Sequence, residues 1–341
     1  MTEIPDRVPV LTQMHEFAMK ELGVPAREFY TSPEILAAGT LEIQEKYGID
    51  VPVLDYDVYN IEAEALGQEI KYSDTDMPDV DRSKPLIRGR DDLKKIRTPD
   101  FDRDGRFAHV IEMNRIFRNL IGGAEITIRI CAPFSLAANI RGIEQIFMDM
   151  YSDPDFVKEL FDRVVEEVLA PWVIRLKKEF PRVKNISADD ASASLPIVSP
   201  GIIEEWILPY VIRLRELAGH DVYMPNWVGE KFLKDPEIML DFKHQACPGF
   251  LEGQDPDVEK LGPRLYRDYA DKKGIPLILG VGAAFLTLSS PQAVFERVRQ
   301  YIEVGGKNGR FALLLCNLGA TTPPENVKAA MDAVDKFGQY R

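Results

Sequence analysis

Cysteine is scarce. The chain has three, Cys131, Cys247 and Cys316, far apart and without a CxxC pair. An odd, sparse set excludes a disulfide-stapled secreted scaffold and suits free thiols in a reducing, cytoplasmic compartment. Histidine is nearly as rare: His15, His109, His220 and His244 stand alone, with no HxH, HxxxH or HxC spacing. Zinc usually takes several Cys, His or carboxylate ligands, so no local zinc motif is on offer. No run approaches the ~20 apolar residues of a membrane span. The opening "MTEIPDRVPV" lacks the basic region and apolar core of a signal peptide. Positive charge is in deficit, at a net −13 spread along the chain, which argues against nucleic acid or an anionic membrane as the main partner. GxSxG, GxxxxGK[ST] and GxGxxG are absent, and "GVGAAF" at 280–285 has the wrong glycine spacing.

What is present is an alternation. Short aliphatic or β-branched runs occur at 8–13, 51–57, 125–133, 185–190, 220–226, 249–255, 276–282 and 311–317. Amphipathic stretches separate the later ones, with apolar residues three and four apart over 154–180. Ser199–Pro200, Ser290–Pro291 and Thr322–Pro323 read as helix starts, and the latter two helices end at glycine. Eight strands alternating with helices predict a (β/α)8 TIM-like barrel with an N-terminal helical extension and an insert. A doubly wound open sheet shares the alternation and is the alternative. The 341 residues are read as a single domain, 1–341, whose excess length lies in 58–124, around the acidic "KYSDTDMPDVDRS". No internal repeat or low-complexity segment is found.

In a parallel barrel the chemistry sits at the C-terminal strand ends. Those ends carry Gln13, Asp55 and Asp57, Cys131, Asp189 and Asp190, Asn226, Glu252 with Gln254, and Cys316 with Asn317. Each is also a residue type that caps helices, and for any one of them capping is as good an account as function. Asp189 and Asp190 are adjacent, so on a strand they point to opposite sides. One is expected to serve ligand or proton, the other to cap. Tyr56, Tyr223, Met224 and Trp227 supply apolar walls, although such residues are more often core.

Several stretches together resemble the uroporphyrinogen decarboxylase superfamily. They are "PDRVPV" (5–10), "YTSPEILAAGTLEIQEKYGID" (30–50), "EAEALG" (62–67), "APFSLAANIRGIEQIFMDMYSDPDFVKELFDRV" (132–164) and "CNLGATTPPENVKAAMDAV" (316–334). The resemblance runs end to end and implies a TIM-like barrel, often a homodimer. The decarboxylases of this superfamily carry QAGRxLPEYR, whose guanidiniums recognise substrate carboxylates. Here "TQMHEFAMKELG" follows the first strand with no Arg. Asp57 lies close to where those enzymes keep an essential Asp. The methylcobamide methyltransferase branch with thiol acceptors resembles itself in an HxC motif and a late Cys that bind zinc. Cys316 matches the late Cys, but Met224 and Asn226 of "MPNW" stand where HxC is expected.

The chain is therefore similar to the tetrahydrofolate-specific members of that branch, such as those of glycine betaine and aryl methyl ether demethylation. The resemblance implies zinc-independent methyl transfer between methylcobalamin on a corrinoid partner protein and N5 of tetrahydrofolate. Its implied roles are proton relay at Asp189 or Asp190 and pterin contacts at Asn226, Glu252, Gln254 and Asp57. Tyr56, Met224 and Trp227 would frame the ring, with Asn317 beside Cys316 and Arg129 or Arg141 at the glutamate tail. Decarboxylation of a porphyrinogen-like acid and a non-catalytic corrinoid- or pterin-binding subunit are the alternatives.

Overall fold

The computed structural model describes residues 5–340, so the first four residues of the stretch read for a signal peptide lie outside the described residues. The strands, in chain order, are β1 Val10–Thr12, β2 Ile70–Lys71, β3 Asp79–Val80, β4 Thr127–Cys131, β5 Asn185–Asp189, β6 Val222–Tyr223, β7 Leu251–Gln254, β8 Leu277–Val281 and β9 Phe311–Leu315. Seven of them pair in parallel, in the orders β1-β9-β8-β7 and β4-β5-β6. β2 and β3 form a small antiparallel hairpin within the acidic insert. The fold is mixed α/β with parallel sheets and helices between the strands.

Among the described residues, the run at 51–57 forms no strand. Pro52 cannot donate to a ladder. The backbone of Val53 is instead satisfied by one side chain: the Gln44 amide donates to its carbonyl at 2.6 Å and accepts from its N–H at 3.3 Å. A glutamine thus replaces a neighbouring strand.

The chain gathers into two compact units. One runs up to Val24, then Ile35–Asp55 and Val228 onward; the other comprises Pro25–Glu34 and Tyr56–Trp227. In the first unit the whole of β9 is buried, as expected of a parallel strand covered on both faces. Gly280 of β8 has no side chain where a Cβ would lie 2.4 Å from Cys316 Sγ and 3.1 Å from Gln254 Cγ. That close approach, rather than any turn, requires glycine there.

In the second unit the sheet has two unlike faces. Ile128, Ile130, Ile186, Ala188 and Val222 are buried on one. Thr127, Arg129, Asn185, Ser187 and Tyr223 lie on the other, each partly exposed. A parallel sheet usually reads apolar on both faces. Polar residues on alternate positions set this face apart.

Two helical stretches of this unit share a device that the sequence reading passes over as a repeat. "APWVIRLKKE" (170–179) and "LPYVIRLREL" (208–217) each follow a widened, π-type turn, at Val164–Leu169 and Ile203–Ile207. Proline lacks the N–H and crowds the carbonyl four residues earlier, so the ladder opens by one residue without ending the helix. The expected caps at Ser199 and Ser290 form, each hydroxyl accepting a backbone N–H at 3.3 Å. Thr322 does not cap the last helix; its Oγ1 accepts the Gly319 N–H instead.

Candidate active site

Several buried polar groups of the second unit lie at the carboxyl ends of β4, β5 and β6. Asp189 ends β5 and is opposite Cys131 of β4 in register. Its Oδ2 accepts from Arg129 Nε at 2.8 Å and Nη2 at 2.5 Å, and its Oδ1 accepts from Ser187 Oγ at 3.2 Å. Arg129, Ser187 and Asp189 share the polar face. The Arg129 carbonyl in turn receives the Tyr56 hydroxyl.

Asp190 turns the other way, as adjacent positions must. Its Oδ1 accepts from the Ser135 backbone N–H at 3.0 Å and hydroxyl at 2.7 Å, and its Oδ2 from the Trp227 indole N–H at 3.3 Å. Ser135 lies in the first turn of the helix Pro133–Arg141, whose N-terminal flank Ala132 has no capping side chain. Asp190 thus supplies from β5 the cap that the local sequence lacks. Its own N–H donates to Asn226 Oδ1 at 3.0 Å, and Asn226 Nδ2 donates to Tyr59 Oη at 3.2 Å. Desolvation pushes the Asp190 carboxyl up to about 6, with the Ser135 and Trp227 hydrogen bonds pulling against it.

One member of this cluster carries no sequence signal beyond its place in "EAEALG". Glu62 is 0 % exposed, and its Oε1 accepts the Cys131 N–H at 3.1 Å. Burial pushes its carboxyl up to about 8, opposed by backbone N–H groups and reinforced by Asp189 and Asp57. Its Oε2 is buried with no protein partner. An unmade hydrogen bond of this kind costs about 1–3 kcal/mol. Ser135, Tyr59 and Arg106 were likewise missed, because their roles depend on partners 49 or more residues away.

The structure brings Tyr56, Asp57, Arg129, Asp189, Asp190, Asn226 and Trp227 into this unit; the contacts above join Tyr56, Arg129 and Asp189, and join Asp190, Asn226 and Trp227, while Asp57 has partners of its own. Asp57 is held by Arg106 in a bidentate pair at 2.9 and 2.6 Å and by Asn60 Nδ2 at 3.0 Å. Tyr56, Met224 and Trp227 are buried. Arg141 is paired with Asp149 at 2.8 and 3.1 Å.

The remaining candidates belong to the first unit. Gln254 Nε2 donates to Glu252 Oε1 at 2.5 Å. Cys316 is buried, and desolvation, then Glu252 and Asp255, raise its thiol well above the ordinary range. It is held as a thiol, the protonated form. Asn317 is exposed with φ +44°, a left-handed position that Asn tolerates, so its residue type has a conformational reason of its own. His15 lies 3.6 Å from Asp55. A surface hollow of this unit, about 580 Å³ between Lys231, Phe232, Pro256, Glu259 and Lys260, carries none of these groups.

A family model described as Uroporphyrinogen decarboxylase (URO-D) matches residues 2–337. The chain belongs to the uroporphyrinogen decarboxylase family. It is 24% identical to the uroporphyrinogen decarboxylase of Trichlorobacter lovleyi, covering 98% of this chain and 96% of that protein. Its identity to the uroporphyrinogen decarboxylase of Anaeromyxobacter dehalogenans is 22%, over 98% and 95%. A methyltransferase from Methanosarcina mazei has the same fold, with a TM-score of 0.79 and 21% identity over 98% of this chain and 95% of its own. Among the described residues no three His, Cys, Asp or Glu lie together as a metal-ligand set. The residues present do not fit a zinc site of the His–Cys type.

Proposed function

We propose that this chain transfers a methyl group between methylcobalamin on a corrinoid protein and N5 of tetrahydrofolate. The observation that carries the proposal is the pairing of cations in the second unit. Arg106 and Arg141, both buried, and Arg129, partly exposed, are each closed by a carboxylate: Asp57, Asp149 and Asp189 in turn. A porphyrinogen bearing several carboxylates calls for guanidiniums held open for bidentate recognition. A pterin edge calls for amide, hydroxyl and carboxyl groups, types present in Asn226 and Asp190 past the strand ends and in Tyr59 of the helical turn Val58–Asn60.

In the forward direction the N5 lone pair forms the new N–C bond. The Co–C bond breaks with its electron pair remaining on cobalt, giving cob(I)alamin, and N5 releases its proton. A neutral amine is nucleophilic without a metal, whereas a buried thiol such as Cys316 is not. Alignment supplies much of the acceleration, up to about 7–11 kcal/mol for well-oriented reactants. Asp189 or Asp190 would receive the N5 proton through ordered water.

Acceptor competition tests the reading. Methylcobalamin is offered with tetrahydrofolate, coenzyme M or homocysteine in parallel, and cob(I)alamin is followed by its absorbance. Tetrahydrofolate alone is expected to be methylated at an appreciable rate. Faster methylation of a thiol, or release of carbon dioxide from a porphyrinogen, would sink the proposal.

A further inference from the structure

Glu62 is the buried titratable group that the reaction above leaves without a task. Its Oε1 is engaged by the Cys131 N–H, while Oε2 is enclosed and meets no protein donor or acceptor. Cys131 ends β4 opposite Asp189 of β5 and two residues after Arg129, the partner of Asp189. The charged groups acting on it are Asp189 and Asp57, both carboxylates; Tyr56 and Cys131 are the other titratable neighbours. No cation pairs with Glu62 among the described residues, since Arg129 and Arg106 are spent on Asp189 and Asp57.

We infer that Glu62 is a ligand-facing hydrogen-bond donor, a neutral acid whose Oε2–H is reserved for a lone-pair acceptor of the bound ring. The ligand class follows from the chemistry. A protonated carboxyl offers one O–H donor, so the matching atom is a carbonyl oxygen or an unprotonated ring nitrogen, not an N–H and not a carboxylate. The identity of that ring as a pterin rests on the proposed function. Burial without a cation explains why the acid stays neutral: its carboxyl titrates near 8 rather than in the usual carboxylate range. Ionisation would remove the donor and add a third negative charge beside Asp189 and Asp57.

Calorimetric titration with tetrahydrofolate from pH 6 to 9.5 tests this with the full-length protein, Glu62→Gln and Glu62→Ala, each checked for folding by circular dichroism. Wild-type affinity is expected to fall about tenfold per pH unit above the Glu62 midpoint, as the neutral form is depleted. Glu62→Gln keeps a neutral donor and should bind with no alkaline limb. Glu62→Ala should bind about tenfold or more weakly at pH 7. Persistence of the alkaline limb in Glu62→Gln, or wild-type affinity in folded Glu62→Ala, overturns the inference. Carbon-13 NMR of the Glu62 carboxyl needs no ligand: a midpoint near 8 supports the neutral acid, and one below about 5 refutes it. If Glu62 titrates near 8 and the wild-type protein nevertheless binds no tetrahydrofolate at any pH, the pterin assignment fails, and the proposed function fails with it.

Discussion

Asp57 distinguishes a ligand group from a structural one. Sequence resemblance sets it near an essential carboxylate, whereas the structure gives both its oxygens to Arg106 at 2.9 and 2.6 Å. The guanidinium is 6 % exposed and also meets Glu64 at 2.6 Å and the Tyr30 carbonyl at 3.3 Å. Removing one partner of a buried ion pair costs about 3–5 kcal/mol, because the other charge is left uncompensated. Here Glu64 keeps one carboxylate on the guanidinium, so Asp57→Asn should fall at the low end, about 3 kcal/mol. All three tryptophans, Trp172, Trp206 and Trp227, lie in the unit that contains Asp57. Urea unfolding followed by tryptophan fluorescence therefore reports that unit, even if the other unfolds separately. The midpoint should drop with an unchanged slope. Tetrahydrofolate affinity, measured well below the transition, should stay within about twofold, since less than 0.5 kcal/mol is asked of binding. A variant of wild-type stability with tenfold weaker ligand binding would refute this: Asp57 would then face the ligand.

Trp227→Phe removes the indole donor from Asp190 Oδ2 and should raise the Asp190 carboxyl above its present value of about 6. Hydrogen bonds to a charged group contribute about 1.5–3 kcal/mol. Asp190 has a raised folded value, so its stabilising contribution is full below the unfolded value near 3.8 and is lost as pH rises through about 6. The variant should therefore lose more stability at pH 7 than at pH 4, and an equal loss at both would contradict the assignment. Gly280→Ala should cost about 1–3 kcal/mol through overpacking against Cys316, with most of it recovered when Cys316→Ala is added. A strictly additive pair in thermal melts would show that the clash is relieved elsewhere.

The alternation of aliphatic runs located seven parallel strands, because each strand's residues carry their own pattern. It failed at 51–57, where Gln44 replaces the neighbouring strand; a side-chain amide nine residues earlier leaves no trace in the run itself. The opposite orientation of Asp189 and Asp190 was legible, since strand geometry forces it. Their partners were not. Nothing local couples Ser135 to Asp190, 55 residues on, or Arg106 to Asp57, 49 residues back. Glu62 escaped for a different reason. A Glu in the first turn of a short helix reads as an ordinary solvent-facing acid, and only the enclosure of Oε2 shows otherwise.

Enclosure also has a thermodynamic sign. The Glu62 carboxyl moves from 4.5 to about 8 on folding. Its stabilising contribution is thus full below about 4.5 and is lost as pH rises through 8. At pH 7 the folded state holds a proton that the unfolded chain would release, at a cost of about 3 kcal/mol. Asp190, moved from 3.8 to about 6, adds a cost of similar size at the same pH. Glu62 is not placed for stability, and the cap that Asp190 provides offsets only part of its cost. The offset comes from the apolar face of the sheet, where Ile128, Ile130, Ile186 and Val222 are buried and each contributes about 1.5–3 kcal/mol. Burial on the apolar face of the sheet thus offsets the cost of holding Glu62 protonated at pH 7 and of holding Asp190 ionised away from water. Glu62→Gln should for that reason melt higher than wild type at pH 8 and show a flatter dependence of stability on pH.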